Sequence, residues 1–127
     1  MKINKIPKKE LEEAEHSLFK AIALIKSEAE AAAFFEDICT PAERQAIADR
    51  WQVVPHLKAG KSYREIYDET GVSITTIGRV ARCINLGTGG YNVIYERFMK
   101  LRSKKIEKQS RQKNETKNSH TKKRTPK

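Results

Sequence analysis

The chain of 127 residues has little of what a disulfide-stapled, membrane-spanning or metal-dependent protein needs. Only two cysteines are present, Cys39 and Cys83. They stand alone, without a CxxC pair or a histidine partner, so no metal or redox motif is indicated, and both are expected as small buried hydrophobes. No apolar run approaches the roughly 18 residues of a membrane span. The start from Met1 to Glu10 is charged and lacks the apolar stretch of a secretory signal, so a cytoplasmic protein with no membrane partner is expected. Histidine is sparse too. His16 sits among acids, His56 follows a proline and His120 lies near the end, none with an adjacent nucleophile or an HExxH spacing. The acids between Glu10 and Glu15, beside Lys8 and Lys9, read as a solvated helix face. Catalytic residues, metal ligands and cofactors are therefore all expected to be absent, and the chain is not expected to be an enzyme.

Acidic and apolar residues are both scarce after Leu101. Residues 1–101 hold 15 basic and 14 acidic side chains, whereas residues 102–127 hold 11 basic and 2 acidic ones, so nearly all of the +10 formal charge sits in the last 26 residues. Ile106 is the only apolar side chain there, and no aromatic follows Phe98. Such a segment cannot bury enough surface to offset its ordering entropy, which predicts a disordered Lys/Arg-rich tail over 102–127. Residues 1–101 are enough for one small domain, of a size that often gains stability by oligomerising.

What is abundant is helical periodicity. Leu11, Ala14, Leu18, Ala21, Ile22 and Ile25 recur at three and four, predicting an amphipathic helix from Lys8 to Lys26. Phe19 and Leu24 fall off that stripe, so the helix needs a second partner surface, which a neighbouring subunit could supply. An Ala-rich helix is predicted over Glu28–Ile38, carrying Phe34 and Phe35. Thr40-Pro41-Ala42-Glu43 combines an N-cap hydroxyl, a first-turn proline and a capping-box glutamate, so a further helix starts there. Ala46, Ile47, Trp51, Val54 and Leu57 line one face of it, and Gly60 sits where a left-handed terminator belongs. Pro55 removes one backbone bond, and a kink or break is expected. No strand-like alternation of useful length occurs, so the fold class is all-α.

Ser62-Tyr63-Arg64-Glu65 is a second capping box, opening a short helix that stops at Gly71. Ser73 then caps a helix from Ile74 to about Asn85, before Gly87. Two helices joined by a tight glycine turn form a helix-turn-helix over about 62–86. Ile66, Val72, Ile77 and Val80 fall where the two helices must pack, and Gly71 falls where positive φ is needed. Tyr67 departs from the small residue usual at its position. The second helix presents Thr75, Thr76, Arg79 and Arg82, groups able to reach base edges and phosphates of duplex DNA in a major groove. With Ser73, Lys61 and Arg64 they make up the expected DNA-binding set. Gly87-Thr88-Gly89-Gly90 lacks the context of a P-loop and reads as a flexible corner. A last helix from Tyr91 to about Ile106 is expected to turn Val93, Ile94, Phe98 and Leu101 inward and complete the core of a dimer.

Thr40-Pro41-Ala42-Glu43-Arg44, Arg50, Gly60 and the Ser62–Asn85 stretch are similar to the Trp repressor superfamily. Phe-Phe-Glu-Asp-Ile-Cys-Thr at 34–40, Thr76-Ile77-Gly78-Arg79-Val80 and the run from Arg82 to Tyr91 resemble its YerC/YecD-type branch. The resemblance covers about residues 8–101. It implies an intertwined helical homodimer with one helix-turn-helix per subunit, spaced for a palindromic operator. It also places the small-molecule corepressor contacts of tryptophan-sensing members at Thr40, Arg50 and Arg79. Val80 stands where the indole would meet a glycine and Cys83 where a serine would be, and the branched Val80 argues against tryptophan.

The expected function is a sequence-specific, nucleoid-associated transcriptional regulator, a repressor. The alternative from another class is a non-sequence-specific nucleic-acid or ribosome-associated binding protein driven by the basic tail. A third is a helix-turn-helix that docks a protein. From Gly60 to Leu101 there are 6 basic and 4 acidic residues, so the case for sequence reading rests on motif geometry rather than charge.

Overall fold

The computed structural model describes the backbone of residues 7–122 and side chains through Lys117. Among the described residues every element is a helix: α1 Lys8–Ala23, α2 Glu28–Ile38, α3 Pro41–Lys58, α4 Tyr63–Thr70, α5 Ile74–Leu86 and α6 Gly90–Lys122. None of them is long and apolar enough to cross a membrane. The chain divides into two compact units within α3, one ending at Ile47 and one beginning at Ala48.

In the first unit local capping sets the boundaries. α1 stops at Ala23, three residues before the expected Lys26, and α2 spans Glu28–Ile38 as expected. The Ser27 hydroxyl accepts from the Glu30 N–H at 3.1 Å, and the Glu30 carboxylate accepts from the Lys26 N–H at 2.9 Å. The start of α3 closes as the capping box predicts: the Glu43 N–H donates to Thr40 Oγ1 at 3.2 Å, and the Thr40 N–H donates to Glu43 Oε1 at 2.8 Å. That backbone bond holds the Glu43 carboxyl below its usual range. Arg44 also donates to the Glu36 carbonyl at 3.1 Å, tying the last turn of α2 to α3. Phe34 and Phe35 meet edge to face at 5.6 Å. No residue of α1 or α2 is buried, and Leu11, Phe19, Leu24, Ile38 and Ile47 are all exposed.

The second unit holds the core. Val53 and Val54 of α3, Ile66 of α4, Val72 of the turn, and Ile77 and Val80 of α5 are buried together, with Trp51, Leu57, Ile84, Tyr91 and Tyr95 packed around them. Val53, outside the face expected from spacing, is as fully buried as Val54. Of the kink or break expected at Pro55, no break occurs: α3 is continuous through it. The proline lies in the last turn and forfeits one bond, and the fully buried Val53 and Val54 just before it hold the helix in place. α3 closes at Gly60, φ +79°, through a Schellman pair: the Lys61 N–H reaches the His56 carbonyl at 3.2 Å and the Gly60 N–H the Leu57 carbonyl at 3.0 Å.

α6 differs from expectation in length. Val93, Ile94, Phe98 and Leu101 stay substantially exposed in the chain, while Tyr91 and Tyr95 pack on the core and Phe98 meets Trp51 edge-on at 5.8 Å. The helix also continues to Lys122, past the expected end at Ile106 and through most of the segment expected to be disordered. The physical reason is compositional. A lack of apolar residues forbids a core but not a helix, and Lys, Arg, Gln and Glu are strong helix formers. No glycine or proline interrupts the run from Tyr91 to Thr125. Consistent with the missing apolar surface, every residue from Arg102 to Lys117 is exposed. Residues 123–127 of the expected tail lie outside the described residues. The cysteines also depart from expectation: Cys39 is half-buried, and Cys83 is exposed on α5 because the core face of that helix is already filled by Ile77, Val80, Ala81 and Ile84.

Candidate nucleic-acid interface

α4, its turn and α5 form the helix-turn-helix, and hydroxyl caps fix both helix starts. Ser62 Oγ accepts from the Glu65 N–H and Ser73 Oγ from the Thr76 N–H, each at 3.2 Å. Each cap of this kind is worth about 1 kcal/mol. Gly71 ends α4 at φ +76°, its N–H on the Tyr67 carbonyl at 2.8 Å. Thr70 completes the turn: its hydroxyl donates to the Ile66 carbonyl at 2.6 Å and accepts from the Val72 N–H at 3.1 Å. Sequence reading missed this residue, although a threonine beside the turn glycine is a local signal for such back-bonding. Ile66 and Ile77 are fully buried and Val72 and Val80 nearly so, so the angle between α4 and α5 is set by tight packing.

With that inner face filled, α5 exposes Thr75, Arg79 and Arg82 at spacings of four and three, along one side of the helix. Thr76 is half-buried and its hydroxyl accepts from Ser73 Oγ at 2.9 Å, which ties both residues to the cap. No acidic residue occurs between Gly71 and Tyr95. The two basic residues expected at the start of α4 are engaged within the chain. Lys61 Nζ lies 2.7 Å from Glu69 Oε2 and 3.1 Å from His56 Nδ1, and Arg64 Nε lies 3.5 Å from Asp68 Oδ1. The Lys61 hydrogen bond is the chief reason the Glu69 carboxyl sits below its usual range. A phosphate contact from Lys61 or Arg64 would exchange one anionic partner for another, and exposed pairs of this kind cost little to break.

A second positioning device lies at the far end of α5. Asn92 donates from Nδ2 to the Ile84 carbonyl at 3.0 Å, and its Oδ1 accepts from the Lys58 ammonium. One amide therefore links the ends of α3 and α5 to the start of α6. Lys58 also lies over the Tyr95 ring, 5.9 Å from its centroid. Asn92 has no local signature, because its partners are 8 and 34 positions away.

The residues expected to contact a corepressor are dispersed in role. Thr40 belongs to the first unit, where it caps α3. Arg50 and Arg79 belong to the second and are both exposed. Burial pushes the Tyr91 phenol above its usual range, nearby Cys83 adds to this, and the Arg50 guanidinium opposes it. Val80 is 2% exposed, its side chain committed to the α4/α5 core.

Comparison with known proteins agrees with this geometry. Residues 13–99 match the family model of the Trp repressor protein. YerC of Bacillus subtilis strain 168, an uncharacterized protein, is 40% identical over 97 residues, covering 76% of this chain and 89% of YerC. A TrpR-like protein from Eubacterium eligens superimposes with a TM-score of 0.63 at 40% identity, covering 68% of this chain and 89% of that one. A Staphylococcus aureus structure provisionally assigned as a Trp repressor superimposes with a TM-score of 0.65 at 35% identity, over 74% and 95% of the two chains.

Proposed function

The chain belongs to the Trp repressor family, and from that premise we propose that it is a sequence-specific DNA-binding transcriptional regulator, acting as a homodimeric repressor on a palindromic site. The observation that carries the proposal is the exposed side of α5. Thr75, Arg79 and Arg82 project from a helix whose opposite side is locked into the core by Ile77 and Val80. Rigid support of that kind is what base reading requires, since a guanidinium must meet guanine O6 and N7 in a fixed plane. The role puts the protein with the nucleoid, in the cytoplasm.

The homodimer is supported by apolar surface without cover in the single chain. α1 and α2 contribute no buried residue, and Leu86, Val93, Ile94 and Leu101 of the second unit are also exposed. Side chains of this type grouped on helices are the surface that a subunit interface buries. We assign no tryptophan-binding role to Thr40, Arg50 and Arg79, because the branched Val80 stands where the family resemblance puts the glycine that meets the indole.

The test is a competition between a selected duplex and a scrambled one. Two bidentate contacts are worth roughly 2–6 kcal/mol of discrimination together, so Arg79→Ala/Arg82→Ala should narrow the preference at least about thirty-fold. Sedimentation should report an unchanged dimer. Retained preference in the double variant would remove α5 as the reader.

A further inference from the structure

The continuation of α6 beyond the body has no counterpart in the helix-turn-helix and is not used by it. We propose that this continuation is a helical polycationic arm that binds the phosphate backbone of duplex DNA flanking the site read by α5; this rests on the DNA-reading function above. Between Arg102 and Lys117 the arm carries seven basic and two acidic side chains, and all its residues are exposed. At about 1.5 Å per residue, the stretch from Leu101 to Lys122 spans roughly 30 Å, close to one turn of duplex. Its rigid connection to the core is the same helix that carries Tyr91, Asn92 and Tyr95, so the arm leaves the domain in a fixed direction rather than as a loose chain.

The chemistry selects the occupant. Beyond Ile106 the arm has no apolar side chain, so it has nothing to bury in a protein groove, a helical bundle or the interface of a bilayer. Three of its cations, Lys104, Lys108 and Arg111, lie along one side of the helix at spacings of four and three, with Lys105 and Lys113 off that side. A row of cations along one side of a helix, with further cations beside it, matches the continuous line of phosphates along a duplex. Binding of this kind is sequence-independent and is carried by counterion release.

The test uses the full chain with Lys104, Lys105, Lys108, Arg111 and Lys113 replaced by Gln, which keeps helix propensity and removes five charges. Affinity is measured by fluorescence anisotropy over a salt series, on a duplex carrying the selected site, on a scrambled duplex of equal length and on an RNA hairpin. The proposal expects the slope of log K against log salt to shrink by about 0.9 per cation engaged, hence by up to about 4.5. It also expects equal loss on both duplexes, an unchanged ratio between them, and a hydroxyl-radical footprint shortened at its outer edges. Unchanged affinity and slope would overturn it, leaving a solvated helix. A larger loss on the RNA than on either duplex would overturn the choice of occupant. If the unsubstituted chain shows no preference between the duplexes, the reading of α5 fails while the salt slopes still judge the arm.

Discussion

Gly71 and Gly87 bracket α5, and alanine at each is predicted to destabilise the domain for a different reason. At Gly71 φ is +76°, but a Cβ built there meets nothing within 4 Å. The cost of Gly71→Ala is therefore confined to the backbone, about 1–2 kcal/mol for an L-residue held in the left-handed region. Asparagine tolerates that region better, so Gly71→Asn should recover much of the loss. At Gly87 the backbone is ordinary, φ −84°, and the obstacle is contact. A Cβ there would lie 2.4 Å from the Cys83 carbonyl oxygen and 3.0 Å from Cys83 Cα, both backbone atoms of the last turn of α5. Relief requires opening the 2.9 Å bond from the Gly87 N–H to that same carbonyl. Losing the bond and shifting the turn should cost on the order of 1–3 kcal/mol, with asparagine no better than alanine. Urea midpoints at one fixed protein concentration give the comparison, since an oligomer's stability depends on concentration. Equal losses for Gly71→Ala and Gly71→Asn, or a silent Gly87→Ala, would refute the reasoning.

Acid should weaken the fold through two carboxylates. Glu69 is held below its ordinary value of 4.5 chiefly by the Lys61 hydrogen bond, and Glu43 by its backbone bond to Thr40. A carboxylate depressed in the folded state stabilises fully above its ordinary value, and that contribution fades as pH falls through the depressed one. Glu69→Gln and Glu43→Gln should therefore flatten stability against pH below about 4.5, and a slope identical to the parent's would count against both interactions. Tryptophan at millimolar concentration should leave duplex affinity unchanged, because Val80 occupies the core; a tenfold tightening would show a pocket that this packing does not allow.

The parts of the fold legible from sequence are those fixed within four or five residues. The Thr40–Glu43 box, the Ser62 and Ser73 caps, and the Gly60 and Gly71 terminators all rest on bonds between near neighbours. The buried quartet Ile66, Val72, Ile77 and Val80 reaches over 14 positions and is legible for a different reason, the short turn that sets α4 against α5. What was not legible depends on distant partners or on cooperativity. Pro55 stays helical because Val53 and Val54 are packed against residues far along the chain. Asn92 acquires its role only when the ends of α3 and α5 meet. The extent of α6 has no local signature either, because unbroken helix formers can continue a helix already nucleated by the body. At the interface, sequence grouped Thr75, Thr76, Arg79 and Arg82 as equals. The structure separates the half-buried Thr76, whose hydroxyl is engaged by the cap, from the exposed three.

The central claim is that the exposed side of α5 reads DNA sequence. Mapping the DNA bound across the genome by the full chain and by Arg79→Ala/Arg82→Ala tests it most directly. The account predicts discrete sites for the full chain, sharing a palindromic motif with half-sites about 10 base pairs apart or a multiple of that, and their loss in the double variant. Occupancy that follows DNA abundance alone, with no shared motif and no change in the variant, would contradict it.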